Sequence, residues 1–189
     1  IRDQVAAVAF ARYELRYLPT ADVVHMFSAN DVDYLCNKGV DAVFRLANLP
    51  LEDKWFQRSH SPVPRSFGRR ILASGDLSFP WYFAGISRFL DIVWSRVCEK
   101  YPDATLTIQS TSLNPEMEAR LKSLPGVHFV GKVDDYRELF AEHDYFVHPL
   151  LAGTGQKNRL AIAMAQGLCC FATDAAVSGM GLRPYEHYI

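Results

Sequence analysis

The sequence predicts an α/β fold, a parallel sheet with helices on both faces, preceded by the remnant of another domain. Three observations predict it. From Arg70 onward, five short apolar runs alternate with four segments of helical periodicity. Strand and helix alternating at that spacing imply right-handed crossovers between parallel strands. A polar, aromatic stretch from Asn48 to Gly68, bearing Pro50, Pro62 and Pro64, separates that pattern from what comes before. The expected division is residues 1–48 as the end of one domain, 49–69 as a linker, and 70–189 as the sheet domain.

The elements follow in order. Residues 1–17 have helical spacing, with Val5, Val8, Ala9, Tyr13 and Tyr17 near one face. Pro19 ends that segment. Asp22 to Phe27 reads as a buried strand. Ser28 and Asn30 are the expected caps of a short helix that stops at Gly39. Asp41 to Leu46 is a second strand. Beyond the linker, Arg70 to Ser74 is a strand ending at Gly75, and Trp81 to Lys100 is a long amphipathic helix. Ala104 to Ser110 is a strand. Asn114 caps a helix over Pro115 to Ser123, with proline at its first position. Val127 to Val130, Tyr145 to His148 and Leu168 to Thr173 are strands. Tyr136 to Glu142 and Gln156 to Gln166 are helices, the second ended by Gly167. Parallel strands are buried on both faces, so they read as apolar runs. Tyr145 to His148 and Leu168 to Ala172 fit that pattern.

Composition narrows the function classes. The 189 residues are 49% hydrophobic and 22% charged, an ordinary globular balance. A formal charge of −1 gives no nucleic-acid footprint, which is usually basic. No run approaches the ~20 apolar residues of a membrane span. Ile1 to Gln4 reads as helix, not as a signal peptide. The four cysteines, Cys36, Cys98, Cys169 and Cys170, lack metal spacing and read as buried, reduced thiols of a cytoplasmic protein.

In an open parallel sheet, ligands bind beyond the carboxyl ends of the strands. One such end, His148-Pro149-Leu150, leads into a glycine-bearing loop and then directly into a helix. The first helical turn has unpaired backbone N–H groups and the positive end of the macrodipole. Gly153 and Gly155 let a diphosphate approach the backbone, and Lys157 and Arg159 add charge. Together they form an anion site. Asp76 and Asp174 read as caps, and His148 as a hydrogen-bonded structural histidine. The aromatic cluster Phe79, Trp81, Tyr82 and Phe83 reads as helix-entry packing, with sugar or acceptor stacking as the alternative. Asp134 and Asp135 suit a helix N-terminus; no metal site is expected, and no cofactor.

The run from Gly153 to Gly167 resembles the G-T-G-x-K-x-K-x-x-E-A-M-A-x-G segment of retaining glycosyltransferases, in the large family with sucrose synthase-like and lipopolysaccharide enzymes. Cys170 to Gly179 resembles the strand and loop that follow it there. Phe129 to Phe140, Ala104 to Gln109, the strand before Ser28 and the Asn48-Leu49-Pro50 junction resemble further segments, in the family's order. The resemblance implies a two-domain glycosyltransferase with Rossmann-like halves (GT-B), of which this chain is the donor-binding half. It places Gly153, Thr154, Gly155 and Lys157 at the donor diphosphate, with Arg159 beside them, and Gly131, Lys132 and Val133 near the base. It implies a nucleoside-diphosphate sugar of UDP or GDP type as donor. It implies a glycan or lipid-linked acceptor, with peripheral association at a membrane.

The sequence departs from the family at four positions. Ile162 replaces the glutamate that holds the donor ribose, and Thr154 replaces its partner glutamate. Asp76 stands for an arginine and Ser110 for a glycine. A lost charge-assisted hydrogen bond costs about 1.5–3 kcal/mol. Arg159 is the expected compensation. Ile162 is expected to be partly covered on a pocket wall lined by Gly131, Lys132, Gly153 and Lys157, where Ile162→Glu would tighten donor binding. Much of the family's acceptor domain and its last helices have no counterpart here, so the chain alone is expected to be inactive. The expected activity is sugar transfer with retention. A non-catalytic binding module and a non-hydrolysing nucleotide-sugar epimerase are the alternatives.

Overall fold

The computed structural model describes residues 2–47, 50–57, 68–153 and 157–189. The expected junction residues Asn48 and Leu49, Pro62 and Pro64 of the linker, and Thr154, Gly155 and Gln156 lie outside the described residues. The described residues divide into two compact units: those up to Pro50 with Ser178–Met180, and Leu51–Gly153 with Lys157–Val177 and Gly181–Ile189.

In the first unit, helix α1 spans Arg2–Tyr17 and exposes Val5, Val8, Phe10, Tyr13 and Tyr17. Strands β1 (Val24–Met26) and β2 (Phe44–Leu46) pair in parallel, Val24 opposite Phe44, as a sheet of their own. Helix α2 (Ala29–Asn37) lies between them in the chain, with Leu35 buried. Gly39 ends α2 with φ +84°, the left-handed conformation that favours glycine. Of the two expected caps, Ser28 holds its position and Asn30 is corrected. Ser28 occupies the N-cap position, but its side chain makes no capping bond. Asn30 lies inside the helix and donates to Ser178 Oγ at 3.0 Å.

The second unit holds five parallel strands in the order β5-β4-β3-β6-β7. They are β3 (Arg70–Ser74), β4 (Thr105–Gln109), β5 (Val127–Val130), β6 (Tyr145–His148) and β7 (Cys169–Ala172). All four pairings are parallel, including β6 with β7, Tyr145 opposite Cys169. The chain steps outward twice from β3 and then returns to the other side. Right-handed crossovers therefore place the first two connections on one face and the last two on the other. The first is one continuous rod: α3 (Pro80–Phe89), a π-turn (Leu90–Trp94) and α4 (Ser95–Lys100). The sequence pattern had no signature for that π-turn, which delivers Leu90 and Trp94 to the interior, Trp94 donating to the Pro125 carbonyl at 3.1 Å. Helices α5 (Pro115–Ser123), α6 (Tyr136–Ala141) and α7 (Asn158–Ala165) make the other connections, and α8 (Asp174–Val177) follows β7.

The main core forms between the sheet and the first two connections: Ala73, Leu106 and Ile108 against Tyr82, Ile86, Leu90, Trp94, Met117 and Leu121. Phe140 of α6 meets Phe146 on the opposite face, ring centroids 5.6 Å apart. Burying side chains of this size contributes about 1.5–3 kcal/mol each. Gly85 lets α3 seat directly on the chain after β6: a β-carbon there would lie 1.8 Å from the Pro149 carbonyl oxygen. At the amino ends of the strands, the Arg70 guanidinium grips Asp144 through Nε and Nη2, both at 3.0 Å. Burial raises the Asp144 pKa, but the bonds from Arg70 outweigh it and hold the carboxylate below its ordinary range. Asn114 caps α5 by accepting from the Met117 N–H at 2.7 Å, and Asp135 caps α6 through the Arg137 N–H at 2.8 Å. All four cysteines are free thiols, but only Cys170 is buried; Cys36 is exposed and the other two are half-buried, which corrects the expectation for three of them.

Candidate donor site at the carboxyl ends of the strands

The strand ends are joined by side chains. Ser74, the last residue of β3, donates to Gln109 Oε1 at 2.6 Å. Gln109, the last of β4, donates through Nε2 to the Gly131 carbonyl beyond β5 at 3.0 Å. Both side chains are buried. Ser110 Oγ accepts from the Leu77 N–H at 3.0 Å and the Ser112 N–H at 3.1 Å, and donates to the Ser112 carbonyl. The loops after β3 and β4 are thus pinned to one hydroxyl. These are the positioning residues that sequence reasoning missed. The signal was the serine at a position where glycine is expected.

Asp76 accepts from the Ser78 N–H at 2.9 Å. That bond and its neighbours hold the carboxyl below its ordinary range. It closes a turn and does not cap α3, whose N-cap position is Phe79. Asp174 is the first residue of α8, and Thr173 caps instead, its Oγ1 accepting from the Ala176 N–H at 3.3 Å. Both cap expectations are therefore corrected.

His148 ends β6. Its ring lies 5.8 Å from that of Phe146 and 5.6 Å from that of Tyr82. The expected hydrogen bond is not made at Nδ1, which is buried without a partner. Burial, helped by the charge of Lys157, lowers the His148 pKa to about 4, so the imidazole is neutral near pH 7. The Tyr82 hydroxyl is likewise buried and unpartnered, and burial raises its pKa. The Tyr82 ring packs on the backbone of Gly75, where a β-carbon would come within 2.5 Å of it.

Gly153 has φ +135°, and Lys157 occupies the N-cap position of α7. A β-carbon on Gly153 would lie 3.9 Å from both Lys157 Cε and Trp81 Nε1. Leu150 Cδ2 is nearer still, at 3.5 Å, so Gly153 is packed among Leu150, Lys157 and Trp81. Arg159 has a different contact: its guanidinium stacks 3.6 Å over the centre of the Tyr136 ring. Gly131 and Val133 are half-buried and Lys132 is exposed. Nothing lies within 4 Å of a β-carbon placed on Gly131. Three inter-strand spacings separate β5 from β6, roughly 14 Å, so only an extended ligand touches both ends. Ile162 is 5% exposed, buried more completely than the expected partial cover.

A groove of about 980 Å³ runs along the bare half of the first sheet face, lined by Ile71, Tyr145, Val147, Phe171, Phe89 and Val93 among others. None of Gly131, Lys132, Gly153 or Lys157 lines it. Among the described residues, no group of three His, Cys, Asp or Glu side chains could hold a metal ion. No described helix is long and apolar enough to cross a membrane.

A family model described as glycosyl transferases group 1 matches residues 68–182. No curated protein matches the sequence. Solved structures do. TarM of S. aureus superimposes with a TM-score of 0.74 at 14% identity, over 94% of this chain and 35% of its own. Anabaena HepE, solved with UDP and glucose, gives 0.70 at 18%, over 91% of this chain and 49% of its own. WaaG, a glycosyltransferase of lipopolysaccharide biosynthesis, gives 0.65 at 18%, over 83% and 45%. The chain thus spans a third to a half of the length of these neighbours, and shares their GT-B half-fold.

Proposed function

The chain belongs to the glycosyl transferases group 1 family, and from that premise we propose that it binds the donor in an enzyme that transfers sugar from a nucleoside-diphosphate sugar. The observation that carries the reading is the position of Gly153 beyond the carboxyl end of β6 and of Lys157 at the N-cap position of α7. There the diphosphate meets the α7 N-terminus and the Lys157 ammonium, with Gly153, Thr154 and Gly155 giving the backbone approach. The base lies on Gly131, Lys132 and Val133. In the reaction the bond from the sugar C1 to the diphosphate oxygen breaks. A bond from C1 to an acceptor oxygen forms, and the acceptor hydroxyl passes its proton to the departing diphosphate. Negative charge grows on the leaving diphosphate, where Lys157 and the helix dipole stabilise it without a metal.

Family membership supports retention at C1, and a glycan or lipid-linked acceptor. HepE was solved with UDP and glucose, and TarM with UDP, which favours a uridine donor. Free thiols accord with a cytoplasmic enzyme. The second reading, a donor-binding module without turnover, is favoured by Asp76 and the buried Ile162. Calorimetric titration of the full-length protein with UDP- and GDP-hexoses, coupled to release of free nucleotide with glycan acceptors, tests both. Binding with acceptor-dependent release is expected. Binding without release would select the second reading. Absence of binding would overturn the donor site.

A further inference from the structure

We propose that Arg159, held in place by the ring of Tyr136, grips the ribose hydroxyls of the donor and makes the site selective for a ribonucleotide. This rests on the donor-site reading above and adds the residue that reads the middle of the ligand. The Arg159 guanidinium lies 3.6 Å over the centre of the Tyr136 ring, which fixes its plane. The side chain is half-buried. A guanidinium carries five N–H donors around its edge and accepts nothing. Among the described residues, no acceptor takes those of Arg159. Beyond Arg159, α7 reads Leu-Ala-Ile-Ala-Met-Ala, and Ile162 is buried, so the helix presents no other polar side chain past its first turn.

Position decides which part of the ligand the pair meets. Helix α6 starts just past β5, at the proposed base end, and Tyr136 is its first residue. Helix α7 starts past β6, at the proposed diphosphate end, and Arg159 stands in its first turn. The stack therefore joins the two helix starts across the interval between those strand ends, roughly 14 Å. The two charges of α7 act on successive strand ends in the same order. Burial lowers the His148 pKa, and the Lys157 charge adds to it, at the end of β6. Burial raises the Tyr82 pKa, and the Arg159 charge opposes it; the Tyr82 ring sits on Gly75, just past β3. The strand order is β5-β4-β3-β6-β7, so Arg159 stands one strand nearer the base end than Lys157 does. In a nucleoside diphosphate, the group between base and phosphates is the ribose. Its two neighbouring hydroxyl oxygens can accept together from one edge of a guanidinium.

The test is calorimetric titration of full-length wild type, Arg159→Gln, Arg159→Lys and Tyr136→Leu with UDP and GDP, and with the 2′-deoxy and 3′-deoxy forms of each. Thermal unfolding identifies any variant that is misfolded, and the remaining ones carry the comparison. Wild type is expected to bind its preferred ribonucleotide roughly tenfold more tightly than at least one deoxy form. Arg159→Gln is expected to lose that preference, weakening on the ribonucleotide and not on the deoxy form. Arg159→Lys keeps the charge without the planar fork, and Tyr136→Leu removes the ring; both lose most of the preference in the same way. Equal loss on ribonucleotide and deoxynucleotide would place Arg159 at the phosphates and overturn the proposal while leaving the donor site intact. No loss on either, or equal binding of all three forms by wild type, would overturn it too. Failure of wild type to bind any of these nucleotides would overturn the donor site, and the ribose contact with it.

Discussion

Ser74 and Gln109 share a 2.6 Å hydrogen bond across the carboxyl ends of β3 and β4, and Gln109 passes it on to the Gly131 carbonyl. One buried amide thereby ties the carboxyl ends of β3 and β4 to the backbone proposed to face the base. Gln109→Ala strands the Ser74 hydroxyl and the Gly131 carbonyl together. Each buried polar group left unpaired costs about 1–3 kcal/mol. A lower urea midpoint is expected, with nucleotide affinity falling more than that of Gln109→Glu. Equal nucleotide affinity in wild type and Gln109→Ala would show that Gly131 needs no such support.

Acid is expected to destabilise the second unit through His148. Its pKa is about 4 when folded and about 6.5 when exposed, so the unfolded chain binds the extra proton first. The stability contributed by the neutral ring is complete above about pH 6.5 and is lost as pH falls toward 4, about 3 kcal/mol in all. His148→Phe keeps the ring stack and removes the titration. Urea midpoints measured from pH 7.5 to 4.5 should fall less steeply in this variant; identical slopes would mean that His148 does not carry the effect.

Ile162→Glu now predicts the opposite of what the sequence pattern suggests. The side chain is buried, so a glutamate there brings a carboxylate out of water. A loss of about 2–4 kcal/mol is expected, read from chemical unfolding. Tighter sugar-nucleotide binding without loss of stability would show that position 162 reaches the ribose after all.

Gly85→Ala tests the seat of α3. The added methyl would sit 1.8 Å from the Pro149 carbonyl oxygen, a backbone atom that cannot turn aside. Overpacking of that kind costs about 1–3 kcal/mol, and more where the backbone itself must shift. A thermal midpoint unchanged from wild type would mean that the helix lifts off Pro149 at no cost.

The sequence made the strands legible because their apolar runs and terminal glycines, such as Gly75 and Gly131, are local signals. Arg70–Ser74, Val127–Val130 and Tyr145–His148 were read to the residue. Asn114 was legible as a cap for the same reason, whereas Asp135 read only as charge suited to a helix N-terminus and caps α6. What was not legible depends on partners distant in the chain. Ser110 reads as a departure from a glycine, yet it joins two loops through Leu77 and Ser112. Arg159 reads as phosphate charge, yet Tyr136 lies beneath it. Ile162 gave no hint of its depth, because periodicity gives a face and not the thickness of what covers it.

The contact of Gly85 with Pro149 has a mechanical consequence. Glycine at that point removes the cushion that ordinary side chains place between a helix and a neighbouring loop. The rod from Pro80 to Lys100 and the chain after His148 therefore rest backbone against backbone at this point. Trp81 rides at one end of that rod. A substitution that lifts the rod from Pro149 would therefore shift the indole as well.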